Sequence, residues 1–258
     1  MTSSGFSNHF ASVASAYAAN RPGYPPQLFE WLAGLCATRD LAWDCATGSG
    51  QAAAGLAPWF KRVVATDASA EQIARSRPAA GVGFQVATAE RSGLADRCAD
   101  LITVAQALHW FDLPSFYAEA RRVARAPAVI AAWTYGRLDM TAPRTNAIVE
   151  QIYQSVLGPY WPAERKHPET GYRDLPFPFE RIPAPRFEMK TTWSIDDLAG
   201  YMASWSAAAR YTAATGRDAI ADARSALADA WRSDAPEHDD DRRCVRWPLT
   251  VLAGRIAS

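Results

Sequence analysis

The stretch Leu41-Ala42-Trp43-Asp44-Cys45-Ala46-Thr47-Gly48-Ser49-Gly50 decides the fold. A short apolar run, Leu41 to Trp43, stops at an acid and enters a turn with two glycines. Gln51 to Trp59 then reads as a helix opened by that turn. Glycine lets a backbone bend sharply and pass close to a ligand. Strand, turn and helix in this order begin a β-α-β unit. Outward from here the alternation continues. Val63 to Thr66 is a strand ending at Asp67, and Ser69 and Gln72 have capping-box spacing, which starts a helix. Val82 to Ala87, Asp100 to Ala105 and Ala128 to Trp133 are further strands, with a helix from the cap Asp112 through Val123. Strands alternating with helices predict a doubly wound α/β fold with a mostly parallel sheet.

Upstream, Phe10 to Ala19 is an Ala-rich helix stopped by Arg21-Pro22-Gly23-Tyr24-Pro25, and Leu28, Trp31, Leu32 and Leu35 form a helical stripe. Downstream, Ile148, Ile152 and Val156 suggest a helix. Gly158 to Pro185 is proline-rich yet carries Tyr160, Trp161, Tyr172, Phe177 and Phe179. It is too rich in proline for a regular element and too aromatic for a disordered linker, so it reads as an ordered cap. Phe187 to Trp193 is a strand. Ser194 and Asp197 cap a helix carrying Ile195, Leu198, Met202 and Trp205, and Ile220, Ala223, Leu227 and Ala230 mark another. Asp239-Asp240-Asp241 reads as a solvated turn, and Cys244 to Ile256 as a closing strand. No linker interrupts the chain. The expected organisation is a single domain over 1–258, with a lid at 1–25 and an insertion at 140–186 capping a substrate pocket.

The chain has 258 residues, ample for a hydrophobic core, with 49% apolar and 21% charged residues. Lys+Arg and Asp+Glu are both 27, so the formal net charge is zero. That is a poor basis for binding nucleic acid through its phosphates. No apolar stretch reaches the length of a membrane span, and MTSSGFSNHF lacks the charged and apolar regions of a signal peptide. A cytoplasmic protein with no membrane partner is expected. Cys36, Cys45 and Cys98 read as buried small hydrophobes, and no cysteine spacing suggests zinc or a disulfide framework. His9, His167 and His238 stand alone, so no metal is expected. Ten Trp, nine Tyr and ten Phe are enough both to fill a core and to wall a ligand pocket.

Open α/β sheets bind nucleotides at the carboxyl ends of their strands. Asp67, ending the second strand, is placed to accept the two hydroxyls of a ribose. Gly48-Ser49-Gly50-Gln51-Ala52-Ala53 also fits the dinucleotide pattern G-x-G-x-x-A, so a nicotinamide-dependent dehydrogenase is an alternative. Two features oppose it. The charge of Asp44 would face a pyrophosphate but suits an ammonium. The last segments suit a closing antiparallel hairpin better than a second mononucleotide half.

Asp44-x-Ala46-x-Gly48-x-Gly50 resembles motif I of the class I S-adenosylmethionine-dependent methyltransferases, with Ala46 in place of the usual first glycine. Asp67 matches the acid after their second strand, and Ala89-Glu90 the position that holds adenine. Ala105-Gln106-Ala107-Leu108-His109-Trp110-Phe111-Asp112 is similar to the stretch after strand four in the type-11 group, particularly its trans-aconitate methyltransferase-like members. Arg21-Pro22-Gly23-Tyr24-Pro25 is similar to their entry segment, and the region of Trp205 also resembles them. One position departs: Thr88 stands where the family often has an acid that meets the adenine amine.

The resemblance implies a Rossmann-like methyltransferase fold, a seven-stranded sheet whose last strand is antiparallel, and S-adenosylmethionine as cofactor. Asp44, Ala46, Thr47, Gly48 and Gly50 would hold its amino-acid end, and Asp67 its ribose. Ala68, Gln72, Thr88, Ala89 and Glu90 lie toward the adenine, and Ala105 and Gln106 toward the methionine part. Tyr17 and Arg21 would fold over the site. His109 has two readings, a base for the methyl acceptor or a loop-ordering residue. Trp110, Trp133 and Tyr135 are candidate pocket walls or core aromatics. The acceptor is a small molecule, with a carboxylic acid favoured. A non-catalytic cofactor-binding module is the remaining alternative. In-line methyl transfer needs alignment and water exclusion rather than a Lewis acid, so activity is expected to survive EDTA. Complete loss restored by Mg²⁺ would put the chemistry in another class.

Overall fold

The computed structural model describes residues 23–76, 78–234 and 241–257. Tyr17 and Arg21, the helix expected at 10–19, the lid up to residue 22, His9, His238, Asp239 and Asp240 lie outside them. The strands are β1 (Leu41–Cys45), β2 (Arg62–Asp67), β3 (Val82–Val86), β4 (Ala99–Ala105), β5 (Ala124–Tyr135), β6 (Asp139–Met140), β7 (Glu180–Ile182), β8 (Phe187–Trp193) and β9 (Arg243–Ile256). The helices are α1 (Pro26–Leu35), α2 (Gln51–Leu56), α3 (Ala70–Arg75), α4 (Leu113–Val123), α5 (Pro143–Gln151), α6 (Lys166–Glu169), α7 (Ile195–Ala203), α8 (Ser206–Thr215), α9 (Ala219–Asp222) and α10 (Arg224–Ser233). The described chain forms two compact units.

The first unit takes Gly23–Arg137, Lys166–Met189 and the chain from Pro248. Its sheet has the order β3-β2-β1-β4-β5-β9. The pairs from β3 to β5 are parallel, and β9 runs antiparallel to β5, from Ala128↔Ile256 to Tyr135↔Leu249. The mostly parallel sheet with an antiparallel last strand is therefore present. Among the described residues the sheet holds nine strands rather than the expected seven, because β6, β7 and β8 all pair with β9. Every residue of β1 is buried, as a strand covered on both faces requires. Side chains alternate between faces. Trp43, Ile102, Val104 and Ile130 pack with Phe116 and Tyr117 of α4. Ala42, Leu101, Val129 and Trp133 pack with Leu28 and Leu32 of α1 and Leu56 of α2.

Side-chain caps open three of the described helices. Ser69 accepts from the Gln72 backbone N–H at 3.2 Å, opening α3. Asp112 precedes α4 as expected, but its carboxylate accepts from the Ser115 hydroxyl and makes no backbone cap. At the opposite end of the strands, Asp100 is 3% exposed and joins β4 to the start of β1. It accepts from Thr38 Oγ1 (2.7 Å), the N–H groups of Asp40 (2.7 Å) and Leu41 (3.0 Å), and Arg125 (3.1 Å).

The second unit takes Leu138–Arg165 and Lys190–Trp247. The insertion expected at 140–186 is thus divided between the units after Arg165. α5 continues into a π-helical turn over Ile152–Val156. Ser194 and Asp197 complete a capping box at α7. The helix expected around Ile220–Ala230 breaks at Ala223 into α9 and α10, with Asp218 capping α9. The core of this unit is aromatic: Tyr153 lies 4.6 Å from Trp161 and 5.4 Å from Trp205, ring centre to ring centre. Trp247 Nε1 donates to the Tyr201 hydroxyl at 3.2 Å.

All four cysteines are free: Cys45 is buried, Cys36 and Cys98 half-buried, and Cys244 exposed. Burial pushes the Cys36 thiol up to about 12. Among the described residues no helix is long and apolar enough to cross a membrane. Asp100→Ala would leave several donors without an acceptor, including the buried Leu41 N–H. It should destabilise the protein by about 2–4 kcal/mol in denaturant unfolding; an unchanged midpoint would remove the anchor role.

Candidate active site

The turn after β1 closes over a buried carboxyl group. Asp44 is 0% exposed. Its Oδ2 accepts from Thr47 Oγ1 at 2.6 Å and its Oδ1 from Thr103 Oγ1 at 2.8 Å. Burial pushes its pKa up to about 6, even though both hydroxyls favour the charged form. The backbone of the turn is left-handed at three positions: Ala46 (φ 54), Gly48 (φ 55) and Gly50 (φ 84). Gly48 has no neighbour that a Cβ would meet, so its backbone angle is what calls for glycine. Ala46 adopts a conformation that costs an L-residue roughly 1–2 kcal/mol, which is where the family's usual glycine would be unstrained.

Asp67 holds the turn from the side. Its Oδ2 accepts from the Gly48 N–H and its Oδ1 from the Ser69 N–H, both at 2.9 Å. The Thr47 N–H donates to the Thr66 carbonyl at 2.9 Å, and Ser76 Oγ donates to the Gly48 carbonyl at 3.1 Å. Ala68 and Thr88 are exposed, and Ala89 is buried. Glu90 accepts from the Asp112 N–H at 3.2 Å. Gln72 contributes its backbone N–H to the α3 cap, while its side chain stands exposed.

At the end of β4, Ala105 is half-buried and Gln106 turns left-handed (φ 64). The Gln106 N–H donates to the Trp133 carbonyl at 2.9 Å, and its Oε1 accepts from Thr134 Oγ1 at 3.3 Å. Gln106 Nε2 and Trp133 Nε1 are both buried and have no hydrogen-bond partner among the described residues. A buried donor without an acceptor costs about 1–3 kcal/mol, and these two belong to residues at the carboxyl ends of the neighbouring strands β4 and β5.

The candidate acceptor residues separate into two groups. His109 is half-buried, 4.7 Å from the Trp110 ring, and Trp110 is 61% exposed. Trp133 (0% exposed) and Tyr135 (6%) are core residues rather than walls of an open surface. Trp133 packs edge-on against Tyr24 and Phe29. His167, an isolated histidine in the sequence, lies 6.3 Å from His109, ring centre to ring centre, and its Nδ1 is 2.7 Å from Asp174 Oδ2. The Tyr172 hydroxyl is 3.1 Å from His109 Nδ1. Thr47, Thr103, Thr134, Tyr172 and Asp174 complete the polar setting. Thr47 is expected at the site from the sequence, and Tyr172 is among the rings of the proline-rich stretch; nothing in the spacing marks Thr103, Thr134 or Asp174.

The fold and site define a Rossmann-like methyltransferase, and comparison with known proteins agrees. A family model described as a methyltransferase domain matches residues 43–131. A Dictyostelium discoideum protein named as a candidate methyltransferase is 33% identical over 253 residues, spanning 97% of this chain and 95% of that one. A solved structure from Anaeromyxobacter dehalogenans, described as a candidate type II methyltransferase, is 43% identical with a TM-score of 0.85, covering 92% of this chain and 98% of that one. An uncharacterized methyltransferase of Mycobacterium tuberculosis is 36% identical over 117 residues, 45% of this chain and 47% of its own. This chain belongs to the class I S-adenosylmethionine-dependent methyltransferases. The dehydrogenase and the non-catalytic module are thereby set aside.

Asp44 carries a testable pH signature. Its folded pKa lies above its ordinary value, so the folded state holds this proton more tightly than the unfolded state. Its contribution to stability should fall as pH rises from about 4 through about 6, by roughly 2–3 kcal/mol in total. Asp44→Asn lacks the titration. In unfolding experiments wild type should gain stability relative to this variant between pH 7.5 and pH 5; parallel profiles would show that Asp44 does not titrate there.

Proposed function

We propose that this chain transfers the methyl group of S-adenosylmethionine to a small molecule, with a carboxylic acid as the acceptor favoured by the sequence. The observation that carries the cofactor reading is the pair of unpartnered buried donors, Gln106 Nε2 and Trp133 Nε1, on the strand edge beside the Asp44 turn. A ligand carboxylate supplies the acceptors they lack. Asp44 and the turn of Ala46, Thr47, Gly48 and Gly50 suit the ammonium end. Each Asp67 oxygen accepts one backbone N–H and has capacity for a second donor, which suits ribose hydroxyls. We assign Ala68, Gln72, Thr88, Ala89 and Glu90 to the adenine and Ala105 and Gln106 to the methionine part; Tyr17 and Arg21, candidates from the sequence, lie outside the described residues. When bound, the cofactor supplies an electrophilic methyl group. The protein's part is to align the acceptor and exclude water, and alignment alone contributes on the order of 7–11 kcal/mol.

A carboxylate is already anionic at neutral pH and needs orientation rather than a base. Arg21 is its candidate clamp, because a guanidinium matches a carboxylate in shape. A hydroxyl acceptor needs a base, and His109 is the candidate for it. We infer a cytoplasmic enzyme with no nucleic-acid or membrane partner.

S-adenosylhomocysteine should raise the melting temperature by mass action, and NADH should not. Asp67→Ala should weaken S-adenosylhomocysteine by roughly 1.5–3 kcal/mol in calorimetry, with Asp67→Asn, which keeps one oxygen, lying between. Equal affinity for wild type and Asp67→Ala would remove Asp67 from the site, and NADH binding alone would overturn the cofactor reading.

A further inference from the structure

Residues 87–98 join β3 to β4 without a helix, although both strands lie in the parallel part of the sheet. Such a loop has no backbone ladder of its own, so side chains must fasten it. A turn from Thr88 to Arg91 is closed by the Arg91 N–H, which donates to the Thr88 carbonyl at 3.3 Å. Ser92 follows this turn, is 0% exposed, and has every polar group engaged. Its N–H and its hydroxyl both donate to Glu119 Oε1, at 2.8 and 2.6 Å, and its carbonyl accepts from Gln85 Nε2 at 2.9 Å. The Leu94 N–H donates to the same hydroxyl oxygen at 3.2 Å.

Glu119 stands on α4 and is itself 8% exposed. Arg122, one turn further on, donates from Nε to Oε2 and from Nη2 to Oε1, both at 2.7 Å. Its Nη2 also reaches the Leu94 carbonyl at 2.9 Å. Arg122 above all, and then Ser92, hold the Glu119 carboxyl down to about 2 against the effect of burial, so it is ionised at neutral pH. A buried carboxylate keeps its donors in place, because losing one leaves charge unpaired away from water. Within the turn, Glu90 Oε1 accepts at 3.2 Å from the N–H of Asp112, the residue that precedes α4. The beginning of α4 therefore holds the turn at Glu90, and its later part holds it at Ser92.

We propose that Glu119 is a positioning residue for the base of the cofactor: acting through Ser92, it sets the turn of Thr88, Ala89 and Glu90 against the adenine and gives the site its preference for adenine over other purines. This rests on the methyltransferase reading and on the assignment of those three residues to the adenine. An adenine edge presents an amino donor beside a ring-nitrogen acceptor. A hypoxanthine edge presents a carbonyl acceptor beside an N–H donor. A turn held in one position tells the two apart, because the wrong edge brings donor to donor and acceptor to acceptor. A turn free to shift accommodates either. Glu119 acts by denying the turn that freedom. It lies 27 residues from Ser92, so no spacing in the sequence joins them.

Discrimination between bases tests this, since a general loss of stability does not alter it. Calorimetry on the full chain compares S-adenosylhomocysteine with S-inosylhomocysteine. Wild type should prefer the adenine compound by roughly 10- to 100-fold, the equivalent of one mismatched polar group. Glu119→Gln keeps the size of the side chain but sets an amide donor against Arg122 or Ser92. It should lower the preference by about tenfold, chiefly through weaker binding of S-adenosylhomocysteine. Ser92→Ala removes the 2.6 Å bond and leaves Glu119 paired with Arg122. It should lower the preference in the same direction, whether or not Glu119→Gln folds. An unchanged preference in Ser92→Ala would overturn the proposal. So would a wild type that binds both compounds equally, a result that leaves the methyltransferase reading standing. A wild type that binds neither compound would overturn both.

Discussion

The Asp44 carboxyl is the constraint on which the site depends. It is wholly buried between Thr47 on the turn and Thr103 on β4, so it locks the loop that leaves β1 to the strand beside it. A carboxylate taken out of water is tolerated only when its oxygens find donors. Two short hydroxyls supply them here, and the turn cannot open without exposing this arrangement. Asp67 then fixes the outer side of the same turn through the N–H groups of Gly48 and Ser69. The acids of β1 and β2 therefore shape the loop before any ligand meets it, which lowers the ordering cost of binding.

The strand ends beyond that turn show a second regularity. Ala46 and Gln106 close neighbouring strands, and both are left-handed without being glycine. Such backbone strain persists where surrounding structure over-determines it, and it clusters at functional sites. At Gln106 the strained turn coincides with a buried amide whose nitrogen has no partner among the described residues and whose oxygen accepts from Thr134 Oγ1 at 3.3 Å.

The aromatic stock divides between the two units by a packing rule visible only in three dimensions. Trp133 and Tyr135 sit at the carboxyl end of β5, which in sequence is also where a pocket wall would stand. Both are buried. Trp110, one residue past His109, is exposed instead. In the second unit Trp161 of the proline-rich stretch packs against the buried Tyr153 and against Trp205, both from outside that stretch. A ring's hydrophobicity says that it will be covered, not by what.

The sheet and its first turn were legible in the sequence because their signals are local. Runs of apolar residues ending at Asp44, Asp67 and Ala105 define buried parallel strands, and glycine at 48 and 50 answers to backbone angles that few other residues adopt. The capping box of Ser194 and Asp197 is local too, and it appears where its spacing put it. Asp112 shows the limit: its carboxylate had a nearer partner in Ser115 than the helix backbone. What tertiary structure alone decided is contact across long separations. His167 and Asp174 lie far in sequence from His109, and Tyr172 is 63 residues from it, so no spacing rule joins them. Thr103 and Thr134 read as ordinary strand residues until pleat and register turn one toward Asp44 and the other toward Gln106. The sequence determined that a tight glycine turn would form after the first strand. Its partners were chosen by the register of neighbouring strands and the path of a loop that returns to them.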